Sequence, residues 1–219
     1  MKGKQIAPQL QVEVQRRAWE RTLQGETVLR CEMSCPELSG TWRGLPAIAR
    51  YYRRVEREWE RRWERELYLR ACLEFADRRA AGKPFRVWTA RLTTCVTRQE
   101  GNLLSLWQEG EEQRGFERPE AVRRGGTWQL DSGAPVSLRA VCGRKWGWKE
   151  RLLRQVRAQV RARLEGGVSL LDSDCQRRLR RSFHPERFYL TGDGITVFYP
   201  MYRLGAGAEG TPEFSVTVS

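Results

Sequence analysis

The segment 188–200 constrains the fold of this chain more than any other stretch. It reads Phe-Tyr-Leu-Thr-Gly-Asp-Gly-Ile-Thr-Val-Phe-Tyr-Pro. An aromatic run, a Gly-Asp-Gly turn and a β-branched run that ends at proline are typical of a β-hairpin. Because an isolated hairpin is at best marginally stable in water, we expect these strands to belong to a sheet that amphipathic helices cover.

Two long amphipathic helices are predicted from apolar residues that recur every three or four positions. The first runs roughly from 46 to 80, and its apolar stripe consists of Ile48, Tyr52, Val55, Trp59, Trp63 and Leu67. Gly82 and Pro84 end it. The second runs from about 148 to 164, with the stripe Trp148, Leu152, Leu153, Val156, Val160 and Leu164, and two glycines follow it.

Alternating or β-branched runs predict strands over 10–14, 26–35, 85–96, 102–107 and 213–218. Residues 127–130 and 136–138 are interpreted as a second hairpin around an Asp-Ser-Gly turn. The polar run 110–118 is interpreted as a loop, and a short helix is expected near 172–183. Together these elements predict an α+β fold, a largely antiparallel sheet covered by the two long helices.

The length and composition are those of one folded domain. The 219 residues are 40% hydrophobic and include nine tryptophans, which excludes a disordered chain. We interpret 1–219 as a single domain, with N-terminal strands in 1–45 and the rest of the core in 46–219. No run of 18 apolar residues occurs, and no apolar segment follows the basic N-terminus, so we expect a cytoplasmic protein without a membrane span.

The six cysteines are expected to be reduced, because no export signal accompanies them. Cys31 and Cys35 form the only close pair, and on one strand they would lie roughly 13 Å apart, too far for a disulfide. No second Cys or His pair is spaced to complete a zinc site, so we expect no metal and no other cofactor.

The formal charge of +13 is concentrated toward the C-terminal half. Between Arg139 and Arg187 there are 14 Lys or Arg against five Asp or Glu. Such a field attracts nucleic acid, anionic lipid or acidic proteins. The alternative is a solvated surface in which arginine has replaced lysine. The candidate binding residues lie on the second helix and are Arg151, Arg154, Arg157 and Arg161, with Trp146 and Trp148 nearby as possible stacking groups.

No catalytic motif is present. The letters Gly205-Ala206-Gly207-Ala208-Glu209-Gly210 match a dinucleotide fingerprint, but the residues after them predict a strand, and that motif requires a helix. His184 is the only histidine, and it stands before a proline without a nucleophile or acid motif near it. We therefore expect a protein that is not an enzyme.

Five ordered blocks resemble the RsiV-type extracellular domain, a domain of unknown function found in the lysozyme-sensing anti-sigma factor RsiV, beside the catalytic domain of the peptidoglycan deacetylase PdaC, and in many Firmicute proteins. The blocks span 48–52, 103–106, 127–133, 183–191 and 197–214. The motif residues carried over are Tyr52, Trp128, Asp131, Phe188, Tyr189, Phe198, Tyr199 and Tyr202. The resemblance implies an α+β module that recognises a ligand and catalyses nothing itself.

These observations predict a non-enzymatic recognition module of RsiV-like type. Because the chain is strongly basic, an anionic protein or cell-envelope component is the expected ligand. The alternative hypothesis is a nucleic-acid-associated protein that binds through the helix face between Arg151 and Arg163.

Overall fold

The computed structural model describes residues 9–143, 146–167 and 169–217. Its strands are β1 (Leu10–Leu23), β2 (Glu26–Gly40), β3 (Trp88–Glu100), β4 (Leu103–Gln113), β5 (Glu120–Gln129), β6 (Phe188–Thr191), β7 (Gly194–Phe198) and β8 (Glu213–Val216). Its α-helices are α1 (Leu45–Arg62), α2 (Tyr68–Ala80), α3 (Leu138–Val141), α4 (Trp148–Glu165) and α5 (Cys175–Ser182). A π-helical turn, Trp63–Leu67, joins α1 to α2, and Gly207–Glu209 forms a 3₁₀ turn.

Strands β1 to β5 form one sheet in sequence order. All neighbours are antiparallel except β2 and β3, which pair in parallel over Leu29–Met33 and Trp88–Leu92. Parallel neighbours require a long crossover connection, and α1 and α2 provide it between β2 and β3. The antiparallel pairs are joined by short turns, as their direction permits.

The long helix covers one face of this sheet. Its stripe residues Ile48, Tyr52, Val55, Trp63 and Leu67 are all buried, as the spacing predicts. The first part packs on Leu104, Leu106 and Trp128. The second part packs on β2 and β3, with Trp63 fully enclosed and Trp59 and Trp19 beside it.

Strands β6, β7 and β8 form a second, fully antiparallel sheet. The aromatic hairpin predicted from 188–200 is the β6–β7 pair. Helices α4 and α5 cover this sheet, and their buried residues, including Val156, Val160 and Leu179, share one core with Ile195 and Phe214. The α+β class is therefore confirmed, and each long amphipathic helix covers a sheet of its own.

The second sheet lies on the face of the first sheet that is turned away from α1. The backbone N–H of Leu190 donates to Oγ of Ser105 at 2.8 Å, and that oxygen lies 2.9 Å from Oγ1 of Thr127. Gly125 allows β5 to approach the carbonyl of Phe188, since a Cβ there would lie 1.8 Å from that oxygen. Hydroxyl groups and a missing side chain thus let the two sheets pack closely.

A charged network also joins the two sheets. Nε and Nη2 of Arg123 donate to the carboxylate of Glu109 at 2.9 and 3.0 Å, and the guanidinium also pairs with Glu213 of β8. The hydroxyl of Tyr189 donates to Glu213 at 2.9 Å. The guanidinium carbon of Arg123 stands 4.1 Å from the ring centroid of Trp107. Because Arg123 and Glu109 are largely buried, this bidentate pair compensates the cost of desolvating both charges.

Several expectations from the sequence are wrong in detail. Strand β1 extends beyond the predicted 10–14 to Leu23, and β5 begins at Glu120 and not at 127. The segment 110–118 was expected to be a loop, but β4 continues to Gln113, because Glu112 is neutralised inside the fold by Arg62. The predicted second hairpin consists of a single bridge between Trp128 and Pro135. Strand β5 pairs with β4, and the chain after the turn continues into α3. In the last predicted strand, 213–216 is confirmed, and 218 lies outside the described residues.

Candidate anion-binding surface

Helix α4 divides its surface into three rows of side chains. The first row is apolar and buried, and it consists of Leu152, Leu153, Val156 and Val160. Leu152, Val156 and Val160 share one core with the second sheet. With this row in the core, the remaining rows decide what the helix presents to its neighbours and to solvent.

The second row binds the outer edge of β8. Nε2 of Gln155 donates to the carbonyl oxygen of Thr217 at 3.0 Å, and Nε2 of Gln159 donates to that of Ser215 at 2.5 Å. One turn later, Nη2 of Arg163 donates to the carbonyl oxygen of Glu213 at 2.6 Å. Four helical residues advance about 6 Å and two strand residues about 6.7 Å, so the two repeats stay in register over three contacts.

The third row is Arg154, Arg157 and Arg161, and all three side chains are exposed. The ion pairs formed by α4 and α5 use Arg163, Arg178 and Arg180. Within the described residues the three row members therefore have no acidic partner. Their spacing of three and four residues gives a line of positive charge about 10 Å long.

Arg151, the fourth residue predicted from the sequence, lies apart from this row. Its side chain is half-buried, and Nη1 donates to the carbonyl oxygen of Trp146 at 3.0 Å, which fixes the turn before α4. It lines a small cleft with Cys142 and Gln155 on the side of the helix that faces β8. The structure therefore assembles Arg154, Arg157 and Arg161 and separates Arg151 from them.

Helix α5 extends the basic surface. Arg180 lies 3.9 Å from the carboxylate of Glu150, and Lys149 stands 5.0 Å from the ring centroid of Phe183. Because Glu150 precedes Arg154 by one helical turn, this contact places α5 beside the free row. The α5 sequence contains four arginines and no acid, and its Arg177 and Arg181 are exposed.

A further pair of cations borders the end of α5. Burial, and then the neighbouring charge of Arg203, lower the pKa of Arg187, whose Nη1 donates to the carbonyl oxygen of Ser182 at 3.3 Å. Like charges held near each other add to the positive potential at this end of α5. The α5 arginines are not among the binding residues predicted from the sequence, although the run Arg177-Arg178-Leu179-Arg180-Arg181 around one buried leucine indicates a basic exposed face.

The two tryptophans near α4 differ in environment. Trp146 is 99% exposed, and it is the most exposed large apolar side chain among the described residues. Trp148 packs into the core, 6.5 Å from Phe183 between ring centroids. Only Trp146 is therefore free to stack on a ligand.

Most residues of the family motif are parts of the scaffold. Tyr52 and Trp128 are buried between α1 and the first sheet, where the indole N–H of Trp128 donates to the hydroxyl oxygen of Tyr52 at 2.7 Å. The four aromatic residues of the hairpin are also buried, namely Phe188, Tyr189, Phe198 and Tyr199. Asp131 sits in an exposed turn, with its backbone N–H bonded to Asn102. Tyr202 is partly exposed and donates to the carbonyl oxygen of Pro119 at 2.6 Å.

The remaining candidates from the sequence are His184, the glycine-rich segment 205–210 and the close cysteine pair. His184 is exposed and 4.0 Å from Glu186. The segment Gly205 to Gly210 leads into β8 and not into a helix, so it lacks the dipole that a dinucleotide site uses. Burial raises the pKa of the Cys31 and Cys35 thiols to about 12. Over 9–143, 146–167 and 169–217, the acidic residues, cysteines and histidine form no group of three that could hold a metal ion.

Residues 145–219 match the family model described as "Protein of unknown function (DUF3298)". This segment contains the second sheet with α4 and α5. None of the curated proteins is significantly similar to the chain. In the described part of the chain, no helix combines the length and apolarity needed to cross a membrane.

Two solved structures share the fold over almost the whole chain. One is a DUF3298 family member from Bacteroides fragilis, with 16% identity, a TM-score of 0.68 and coverage of 95% of this chain and 90% of that one. The other is a DUF3298 family protein from Pseudomonas aeruginosa, with 17% identity, a TM-score of 0.61 and coverage of 95% and 91%. At such identities the likeness concerns the fold alone.

Proposed function

We propose that this chain is a non-enzymatic recognition module of RsiV-like type that binds an anionic protein or an anionic cell-envelope polymer through α4 and α5. The observation that carries the proposal is the row Arg154, Arg157 and Arg161, exposed and without acidic partners among the described residues. The other two rows of α4 are occupied by the core and by β8. The free row is therefore the face of this helix that remains available to a partner.

Charge supports a partner that is acidic. Helix α4 has six basic and two acidic side chains, and α5 has four basic and none acidic. A convex helical pair with a positive field attracts a polyanion over about one Debye length, and the attraction weakens as salt is added. The exposed Trp146 stands two residues before the start of α4 and adds an apolar contact near the N-terminus of that helix.

The test measures binding of poly-L-glutamate and of poly(glycerol phosphate) at low and high salt. The variant Arg154→Glu/Arg157→Glu/Arg161→Glu should weaken binding by about tenfold or more, since each exposed ion pair contributes up to about 1 kcal/mol. The matched control is Arg53→Glu/Arg57→Glu/Arg61→Glu, which reverses three exposed arginines on α1 and changes the net charge equally. Equal losses in both variants, or no binding at low salt, would overturn the proposal.

Nucleic acid is the second candidate, and the exposed Trp146 next to a basic helix favours it because bases stack on aromatic rings. A duplex and a single-stranded oligonucleotide form the second arm of the same experiment. Retention of an oligonucleotide, with no binding of either acidic polymer, would replace the first proposal by this one. The variant Trp146→Ala should then weaken single-strand binding more than duplex binding.

A further inference from the structure

A groove of about 320 Å³ lies on the α1 side of the first sheet, away from α4 and α5. It is bordered by the flank of α1 and by the face of β5 that is turned toward α1. It exists because α1 runs over β4 and leaves the rim of the sheet at β5 uncovered. Val122 and Arg124 face the same side as α1, and both are exposed. The groove shares no residue with the α4–α5 surface.

The floor of the groove is the indole ring of Trp59 where it lies on the first sheet, and we call this floor the aromatic shelf. Trp59 of α1 lies on Gly110 of β4, where an added Cβ would be 2.3 Å from the indole ring. The shelf therefore requires glycine at 110. Val122 is the register partner of Gly110 and is 52% exposed, so it continues the apolar strip across to β5.

Ordered planar polar groups surround the shelf. Glu112 is only 4% exposed, and its carboxylate accepts from Nε and Nη2 of Arg62 at 2.7 and 3.0 Å. Arg114 donates to Glu112 at 3.0 Å and to Glu120 at 2.9 Å. These side chains are held in place by their mutual bonds, so little conformational entropy is lost when a ligand binds beside them.

The charges of the groove are nearly balanced. Glu58, Glu112 and Glu120 oppose Arg62 and Arg124 in its lining. A lining of this kind offers both donors and acceptors and does not select a ligand of strong net charge, in contrast to the α4–α5 surface. A ligand with one apolar face and a rim of hydroxyl groups satisfies the shelf and the rim together.

We propose that this groove is a binding site for a neutral carbohydrate, with a sugar ring lying against Trp59 and Val122 and its hydroxyl groups reaching the rim carboxylates and guanidinium groups. The proposal is independent of the α4–α5 surface and holds whether or not that surface binds an anion. It adds a saccharide to the ligands of this chain.

The test is ligand-observed NMR with neutral tetrasaccharides of β-1,4-linked glucose and of β-1,4-linked N-acetylglucosamine, up to millimolar concentrations. Val122→Lys places a long side chain across the strip and should weaken binding about tenfold or more, while Val14→Lys, the same change at an exposed valine on β1, should leave it unaltered. Arg124→Ala should also weaken binding, and neither Val122 nor Arg124 is buried, so folding is preserved.

Three results would overturn the carbohydrate site. They are no saturable binding of either tetrasaccharide by the full chain, equal loss in Val122→Lys and Val14→Lys, or binding in the groove of an amphipathic peptide and of neither sugar. The triple variant of α4, Arg154→Glu/Arg157→Glu/Arg161→Glu, should bind the sugars normally. This last measurement distinguishes a loss of sugar binding in the groove from a loss of anion binding on the α4–α5 surface.

Discussion

Gln155 pairs with Thr217 as the peptide group of a neighbouring strand would. Its Nε2 donates to the carbonyl oxygen of Thr217 at 3.0 Å, and its Oε1 accepts from the backbone N–H of Thr217, also at 3.0 Å. A glutamine on a helix thus occupies the open edge of β8. Unpaired strand edges invite association with other chains, and Gln155, Gln159 and Arg163 together close this one.

Replacing both glutamines should therefore open the edge. We expect Gln155→Leu/Gln159→Leu to lower the free energy of unfolding by about 1–3 kcal/mol, because three hydrogen bonds to the backbone are lost. Urea denaturation measures the loss, and amide hydrogen exchange at Thr217 should accelerate. Arg154→Ala, an exposed change on the same helix, should stay within about 0.5 kcal/mol of the parent. Unchanged exchange at Thr217 would show that the glutamines do not protect the edge.

Glycine at 110 should be indispensable to the packing of α1. We expect Gly110→Ala to destabilise the fold by about 1–3 kcal/mol, since the new methyl group overlaps the Trp59 ring. The second change Trp59→Ala should remove that overlap, so the two effects in a double-mutant cycle should be far from additive. Gly192→Ala is the control, because nothing lies within 4 Å of the added Cβ there. If the losses of stability in the two single variants were additive, Trp59 would not pack on Gly110.

Loss of the hydroxyl group should change the stability of the fold differently at two buried tyrosines. Tyr52→Phe leaves the indole N–H of Trp128 without its partner and should cost about 1–3 kcal/mol. Tyr199 is fully buried, and its hydroxyl has no hydrogen-bond partner within the described residues, so Tyr199→Phe should be neutral or stabilising. Thermal and urea unfolding of both variants provide the comparison. A similar cost in both would mean that the Tyr199 hydroxyl is bonded in solution.

The ion pair of Glu112 should make stability depend on pH. Burial opposes ionisation of this carboxyl, but hydrogen bonds from Arg62 and Arg114 outweigh it and hold its pKa below the usual value of a glutamate. A depressed pKa in the folded state stabilises the protein above the unfolded pKa, and this contribution disappears as pH falls through the folded value. The parent should therefore exceed Glu112→Gln in stability at neutral pH.

That advantage should shrink as the pH is lowered from about 5 through the depressed pKa, where the parent carboxyl takes up a proton. Urea titrations of the parent and Glu112→Gln at several pH values measure the difference directly. Glu111→Gln, at an exposed position of the same strand, is the matched control and should show no such trend. A difference that grows toward acid pH would contradict the depressed pKa.

Local periodicity predicted most of the elements. The spacing of Ile48, Tyr52 and Trp63 located the long helix, and the aromatic run around Gly192 located the β6–β7 hairpin, because helices and turns depend on neighbours within a few residues. The arginines at 154, 157 and 161 were also recognised from helical spacing alone. The exposure of these arginines follows from the burial of Val156 and Val160 on the other side of α4.

Contacts between distant segments decided the rest. Nothing near Glu112 indicates that Arg62, 50 residues earlier, neutralises it, so a buried strand resembled a polar loop. The division into two sheets, the removal of Arg151 from the basic row and the shelf of Trp59 on Gly110 have the same origin. The sequence by itself determined where most of the helices and strands lie, since that depends largely on side chains a few residues apart. The tertiary structure decided which charges remain free and where grooves open, because both depend on how segments distant in the chain meet.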